Sequence, residues 1–235
     1  VRSRSPIKTP YGLPSSPILK VVIGASESVP CIARHGEHYS IPPHAINYRA
    51  NIWSLHQSGV RRLIAVNTVG AINPAFQPGT LIIPEQLIDY TWGREHTFFD
   101  GEDGKFNHID FSEPFDPEIR GCLAQAIHDT GGTARAGVYG VTQGPRLETA
   151  AEIDRLERDG CDMVGMTALP EAALAREKNI SFAICALAVN HAAGKNPGGE
   201  SIHSELARNV SEGARSLREV LPRVVEDLLR ADDSG

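Results

Sequence analysis

The chain has 235 residues, 41% apolar and 22% charged, with a net charge of −6 and a pI near 5.8. That length suits one α/β domain with a sizeable core, and the ordinary composition argues against extended disorder. So acidic a chain has no electrostatic footprint for nucleic acid or an anionic membrane, and an anionic ligand would need a local positive site. The four cysteines, Cys31, Cys122, Cys161 and Cys185, are scattered without Cys-x-x-Cys spacing, which reads as buried thiols in a reducing compartment. No apolar run approaches the ~18 residues of a membrane span and no charged-then-apolar leader opens the chain, so the expected location is cytoplasmic.

In chain order, Pro6, Pro10, Pro14 and Pro17 mark an irregular surface arm leading into a strand over Ile18 to Ile23. A turn around Glu27-Ser28 and a strand over Val29 to Ala33 follow, ending at Arg34-His35-Gly36. Pro42-Pro43 opens a helix in which Ala45, Ile46, Ile52, Trp53 and Leu55 recur at roughly helical spacing up to His56. Leu63 to Val66 reads as a strand covered on both faces, with Asn67-Thr68-Val69-Gly70 as the loop after it. Further strands are predicted at Leu81 to Ile83, Val138 to Thr142, Asp162 to Met166 and Ile180 to Val189. Helices are predicted over Pro117 to Thr130, Thr149 to Asp159 and Pro170 to Lys178. Gly194 to Gly199 reads as a mobile loop. A long final helix, about His203 to Leu229, carries Leu206, Val210, Leu217, Leu221, Val224 and Leu228 on one face, with Pro222 as a kink. Alternating strands and helices predict a single-domain α/β sandwich around a largely parallel sheet.

Two motifs carry most of the chemistry. Gly144-Pro145-Arg146-Leu147-Glu148-Thr149 delivers an apolar residue and a carboxylate to a strand end, and Met163-Val-Gly-Met-Thr-Ala-Leu-Pro-Glu171 places Met166 and Thr167 at the tip of the next strand. A flat, polar-edged ring fits such a frame: Leu147 and Met166 cover its faces, and Glu148 accepts a hydrogen bond from its edge. Arg34 and His35 at a strand end can clamp a phosphate, although on spacing alone such a pair is more often a surface ion pair. Each remaining residue has a plain structural alternative: a helix N-terminal carboxylate for Glu148, a turn or cap for Asn190, a solvent-facing helix residue for His203, and an ordinary loop residue for His108. The histidines show no metal array, since His35-x-x-His38 is too little to suggest one.

Together with Arg34-His35-Gly36 and Ala188-Val189-Asn190, these motifs resemble the trimeric purine nucleoside phosphorylase and methylthioadenosine phosphorylase family, over about Thr9 to Leu229. The spelling of Pro42-Pro43-His44, Asn47-Tyr48-Arg49-Ala50-Asn51, Gly93-Arg94-Glu95-His96 and His108-Ile109-Asp110-Phe111 is most similar to bacterial S-methyl-5′-thioinosine phosphorylases. The resemblance implies a three-layer α/β/α fold around a mixed sheet and phosphorolysis with inorganic phosphate as co-substrate, without cofactor or metal. It implies that Arg34, His35, Thr68 and Thr167 bind phosphate. It also implies that Leu147, Glu148, Met166, Thr167 and Asn190 hold the nucleoside, with Asn190, Arg34 and His35 acting in catalysis.

A carboxylate opposite purine N1 suits a 6-oxopurine, and Asn190 can donate to O6 and accept from a protonated N7. Relatives acting on methylthioadenosine typically have Asp at the Asn190 position and a small hydroxyl residue at Glu148. His203 aligns near the 5′ group, where histidine suits a hydroxyl, whereas the motif spelling points to methylthio. The resemblance further implies a homotrimer in which His108 reaches a neighbouring subunit's site. Family members usually open with a strand and a Gly-Gly-Thr/Ser-Gly phosphate loop, and no such loop precedes the Pro-rich arm here. The expected activity is phosphorolysis of S-methyl-5′-thioinosine, with inosine or guanosine close behind. The rivals are a methylthioadenosine phosphorylase and a purine-binding protein without turnover; a dinucleotide-binding domain is disfavoured because no Gly-x-Gly-x-x-Gly joins a strand to a helix.

Overall fold

A computed structural model describes residues 3–233 except 6, 25, 102, 103, 105 and 200. A small antiparallel sheet comes first: β1 (Ser3–Ser5), β2 (Ile18–Ile23) and β3 (Ser26–Cys31), in the order β1-β2-β3. The Pro-rich arm is therefore less irregular than its prolines suggest, because it contributes a strand. It is also tied to the first long helix, α1 (Tyr48–Gln57): Asn47 donates to the Tyr11 carbonyl at 2.6 Å, and Asn51 exchanges bonds of 2.8 and 2.9 Å with Ser15. Glu27-Ser28 lies within β3, and the chain reverses at Gly24, whose φ of 59° suits a residue without Cβ. Pro43–Ala45 forms a separate 3₁₀ turn, and α1 starts afresh with Asn47 as N-cap, its side chain accepting from the Ala50 amide at 3.0 Å.

The main sheet contains β4 (Arg62–Ala71), β5 (Leu81–Asp89), β6 (Arg135–Val141), β7 (Met163–Gly165) and β8 (Ser181–His191). They pair in the order β4-β7-β6-β5-β8, with β8 returning to β4. The β4/β8, β5/β6 and β6/β7 pairs are parallel; β4/β7 and β5/β8 are antiparallel. The sheet is thus mixed and largely parallel. Asn67 to Gly70 belongs to β4 and not to a loop: pairing with β8 continues to Ala71, with a register shift at Val69/Gly70. Its polar residues misread as a loop because alternate side chains of this strand face an open cavity instead of a second apolar layer.

The layers follow from β8. Phe182, Ile184, Ala186 and Ala188 enter one core with α1 and α4 (Ala168–Glu177), while Ala183, Cys185, Leu187 and Val189 enter another with α2 (Pro117–Asp129) and α5 (Ile202–Asp233). Burial on both faces is why this strand is apolar at nearly every position. The remaining helix, α3 (Ala150–Arg158), covers a third cluster with Ile153 and Leu156 against Ile72, Cys161 and Val164. The helix α5 continues through Pro222. Among the described residues no helix is long and apolar enough to cross a membrane.

Buried Gly213 lets α5 lie close on β8, for a Cβ there would run into the Leu187 side chain. Exchanging a helical glycine for alanine gains up to ~1 kcal/mol of propensity, but overpacking a core costs ~1–3 kcal/mol. Gly213→Ala is accordingly expected to lower stability, seen as an earlier denaturant midpoint at unchanged slope; a later midpoint would show that α5 has room to move.

Candidate active site

A cavity of about 550 Å³ opens where β4, β6, β7 and β8 end, the usual place for a ligand in an α/β sheet. Of the residues singled out from sequence, Arg34, His35, Thr68, Leu147, Glu148, Met166, Thr167 and Asn190 all line it. His203 and His108 do not.

Arg34 and His35 stand in a turn just beyond β3. Arg34 is held by Glu171 in the first turn of α4, with Nε to Oε1 at 2.6 Å and Nη2 to Oε2 at 2.8 Å, and Nη1 donates to the Val66 carbonyl at 3.3 Å. Those bonds engage three of the five guanidinium N–H donors and leave two for a ligand. Burial works against the Arg34 charge, but the adjacent Glu171 carboxylate outweighs it and raises the pKa. The His35 ring is fixed by reciprocal bonds across its turn: Nδ1 donates to the Ile41 carbonyl at 2.8 Å, and the Ile41 amide donates to the His35 carbonyl at 3.0 Å. Burial, aided by Arg34, pulls its pKa below the ordinary histidine value against the opposing Ile41 bond, so near neutrality His35 is uncharged with Nε2 open.

Thr68 projects from β4 on the open face with Val66, whereas Asn67 turns inward, its Nδ2 3.4 Å from Tyr139 Oη. Burial pushes the Tyr139 phenol up to about 12, keeping it neutral. Thr167 is the N-cap of α4, but its side chain makes no capping bond, so the hydroxyl is available to the cavity. Leu169 is extended (φ −116°, ψ 144°) ahead of Pro170, as a residue before proline prefers, and this delays the regular helix.

The opposing wall comes from the loop between β6 and α3. Gly144, at φ 63°, is packed so closely on Met166 that a Cβ would fall 2.5 Å from Sδ, which couples the two motifs. Glu148 is not spent on the helix start: Thr149 and Glu152 form the capping box of α3, and Arg146 pairs with Glu152 at 2.7 Å. Instead Glu148 Oε1 accepts from Thr142 Oγ1 at 2.6 Å. Asn190, at the end of β8, spends one amide N–H on the His191 carbonyl at 2.6 Å and retains its second N–H and carbonyl oxygen.

The start of α5 closes the cavity with Ile202 and Leu206, one turn apart, while His203 points outward. Glu205, on another face, accepts from His191 Nδ1 at 2.8 Å and from the His191 amide at 2.9 Å, and Asn209 donates to the Val189 carbonyl at 3.0 Å. The 194–199 segment is anchored through Lys195, which reaches Asp154 at 3.0 Å and Glu157 at 2.8 Å on α3. His108 is exposed beside Phe106, their rings 5.3 Å apart.

Sequence reasoning passed over Arg94. Only 9% exposed, it donates to the carbonyls of Thr142 (3.2 Å), Gln143 (2.9 Å), Met166 (2.8 Å) and Leu169 (2.5 Å), and to Tyr48 Oη (3.3 Å). Burial lowers its pKa, with Tyr48 and Asp89 opposing. The motif Gly93-Arg94-Glu95-His96 was its only visible signal, because backbone acceptors leave no mark on a sequence.

The description "Phosphorylase superfamily" belongs to the family model that matches residues 3–226. The chain belongs to this superfamily. Among relatives of this superfamily member, a probable S-methyl-5′-thioinosine phosphorylase from Xylella fastidiosa is 51% identical over 94% of this chain and 89% of its own. A 6-oxopurine nucleoside phosphorylase from Pyrococcus furiosus is 44% identical over 90% and 80%. The solved structure of methylthioadenosine phosphorylase from Schistosoma mansoni in complex with tubercidin is similar to it with a TM-score of 0.88 and 28% identity, covering 98% of this chain and 86% of that one.

Arg94→Lys keeps the charge of this phosphorylase-superfamily site but loses the planar fork, leaving buried carbonyls unpaired at ~1–3 kcal/mol each. A melting temperature lowered by several degrees together with a raised nucleoside KM is expected; an unchanged KM would mean that the strand ends keep their places without the fan of bonds.

Proposed function

We propose that the chain cleaves the N-glycosidic bond of a 6-oxopurine nucleoside with inorganic phosphate, and that S-methyl-5′-thioinosine is its preferred substrate. The observation that carries the preference is the apolar pair Ile202 and Leu206 lining the cavity where the family resemblance suggested His203. A methylthio group suits that surface, whereas a 5′-hydroxyl would lose hydrogen bonds to water there without replacement. The relatives named for methylthioinosine and 6-oxopurine nucleosides support this reading.

In this proposal the free N–H donors of Arg34 and the hydroxyls of Thr68 and Thr167 orient phosphate, with His35 beside them. A phosphate oxygen forms a bond to C1′ as the C1′–N9 bond breaks and its electron pair leaves with the purine. Positive charge on the sugar is greatest midway, and negative charge grows on the base. Asn190 donates to O6 as that charge develops and accepts from N7–H once N7 has taken a proton from dihydrogen phosphate or water, so that the base leaves neutral, and Glu148 accepts from N1–H. Leu147 and Met166 cover the ring faces. Adenine presents a lone pair at N1, so Glu148 disfavours it; discrimination by an unmatched hydrogen bond reaches about 10⁴. This distinguishes the reading from a methylthioadenosine phosphorylase.

Assays of methylthioinosine, inosine and methylthioadenosine with and without phosphate test the assignment. Hypoxanthine release should need phosphate and be fastest from methylthioinosine, and Leu206→Gln should cut that kcat/KM by about tenfold while sparing inosine. Binding without phosphate-dependent cleavage would refute the enzyme reading, and preference for methylthioadenosine would refute the base assignment.

The assembly we propose is a homotrimer in which His108 reaches a neighbouring subunit's cavity. Phe106 and Trp92, exposed by 75% and 73%, are apolar surface of the kind such contacts cover. Sedimentation equilibrium should return three chain masses; a single chain mass at assay concentration would rule the trimer out.

A further inference from the structure

Glu148 lies on a loop whose other charged side chains are already committed. The amides at the start of α3 are served by Thr149 and Glu152, and both Arg146 terminal nitrogens are held by Glu152 at 2.7 and 2.8 Å. Among the described residues, the side chain that hydrogen-bonds the Glu148 carboxylate is that of Thr142, at 2.6 Å. Thr142 is itself pinned at both ends of its peptide. Its amide donates to the Gly165 carbonyl at 2.8 Å, and its carbonyl accepts from Arg94 at 3.2 Å. The one hydroxyl proton has a second acceptor in Gly165 O, but at 3.4 Å this is the weaker choice against a charged oxygen at 2.6 Å.

We propose that Thr142 is a positioning residue for base selection: its hydroxyl holds Oε1 of Glu148, so that Oε2 is presented to an N–H on the edge of the bound purine. The proposal rests on the assignment of Glu148 to the base. One consequence follows from hydrogen-bond chemistry. The carboxylate loses rotamer freedom before the ligand arrives, so less is lost on binding. The other charged groups near this pair are Arg146, which feels the Glu148 charge while bound to Glu152, and Arg94 behind the Thr142 carbonyl.

The test compares wild type, Thr142→Val, Thr142→Ser, Glu148→Gln and the Thr142→Val/Glu148→Gln double variant. The readout is kcat/KM for methylthioinosine and methylthioadenosine at saturating phosphate. Thr142→Val should lose about tenfold on methylthioinosine and lose selectivity against methylthioadenosine. Thr142→Ser should restore both, and the Val substitution should add nothing once residue 148 is Gln. Thr142→Ala carries the same expectation and serves if Val crowds the Gly165 carbonyl and prevents folding. Wild-type selectivity in the Val or Ala variant would overturn the proposal, as would a Ser variant as impaired as Val, or a full tenfold loss on top of Glu148→Gln. Unchanged selectivity in Glu148→Gln itself would instead remove Glu148 from the base. A Glu148→Gln effect with a silent Thr142 variant defeats only the role given to Thr142.

Discussion

A buried guanidinium whose partners are carbonyl oxygens holds the cavity together. Arg94 collects the carbonyls of Thr142 and Gln143 after β6, Met166 after β7, and Leu169 at the start of α4. These peptides belong to the segments that carry Glu148, Met166 and Thr167. Backbone carbonyls at strand ends have no sheet partner, and burying them unpaired would be costly. One planar group with five donors satisfies several at once and fixes their relative positions, which a point-charge ammonium does poorly. Tyr48 extends the same network to α1, with the guanidinium 5.5 Å from its ring centroid.

The second constraint is charge. The chain is acidic overall, and its cavity holds a cation, Arg34, already paired with the buried Glu171. That pair orients the guanidinium and offsets much of its burial cost, while removal of either partner would leave an uncompensated charge at a cost of ~3–5 kcal/mol. With His35 uncharged, local attraction for an anion depends on aimed N–H and O–H groups more than on accumulated positive charge. Such donors are already oriented when a ligand arrives, which suits them to a charge that shifts during reaction.

The third is the docking of α5. Glu205 clasps both the ring and the amide of His191, and Asn209 reaches the Val189 carbonyl, so the first turns of the helix are keyed to the end of β8. With that face taken, Ile202 and Leu206 turn to the cavity and His203 to solvent. The same clasp fixes the peptide after Asn190, whose carbonyl partner belongs to His191. The apolar lining from α5 and the Asn190 amide in the same cavity therefore share one support.

Much of this was legible in the residues themselves. The strand β8 was marked over Ile180 to Val189, α2 and α3 were located to within a residue or two, and Gly144 to Thr149 with Met163 to Glu171 marked one wall of the cavity. These are local properties: periodicity and turn chemistry depend on neighbours in the chain. The extension of β4 through Asn67 to Gly70, the Arg94 fan, the Arg34–Glu171 pair and the Thr142 bond to Glu148 were not legible. Arg34 and Glu171 are 137 positions apart, and the carbonyls that Arg94 binds lie 48 to 75 positions from it. Even Thr142 and Glu148, six positions apart, meet only because the intervening loop folds back at Gly144. The final helix shows the division most plainly. Its amphipathic repeat was determined by sequence, but which of His203, Ile202 and Leu206 lines the cavity was decided by helix rotation. Successive helical residues point ~100° apart, so the Glu205 and Asn209 contacts to β8 set a direction that no count along the chain contains.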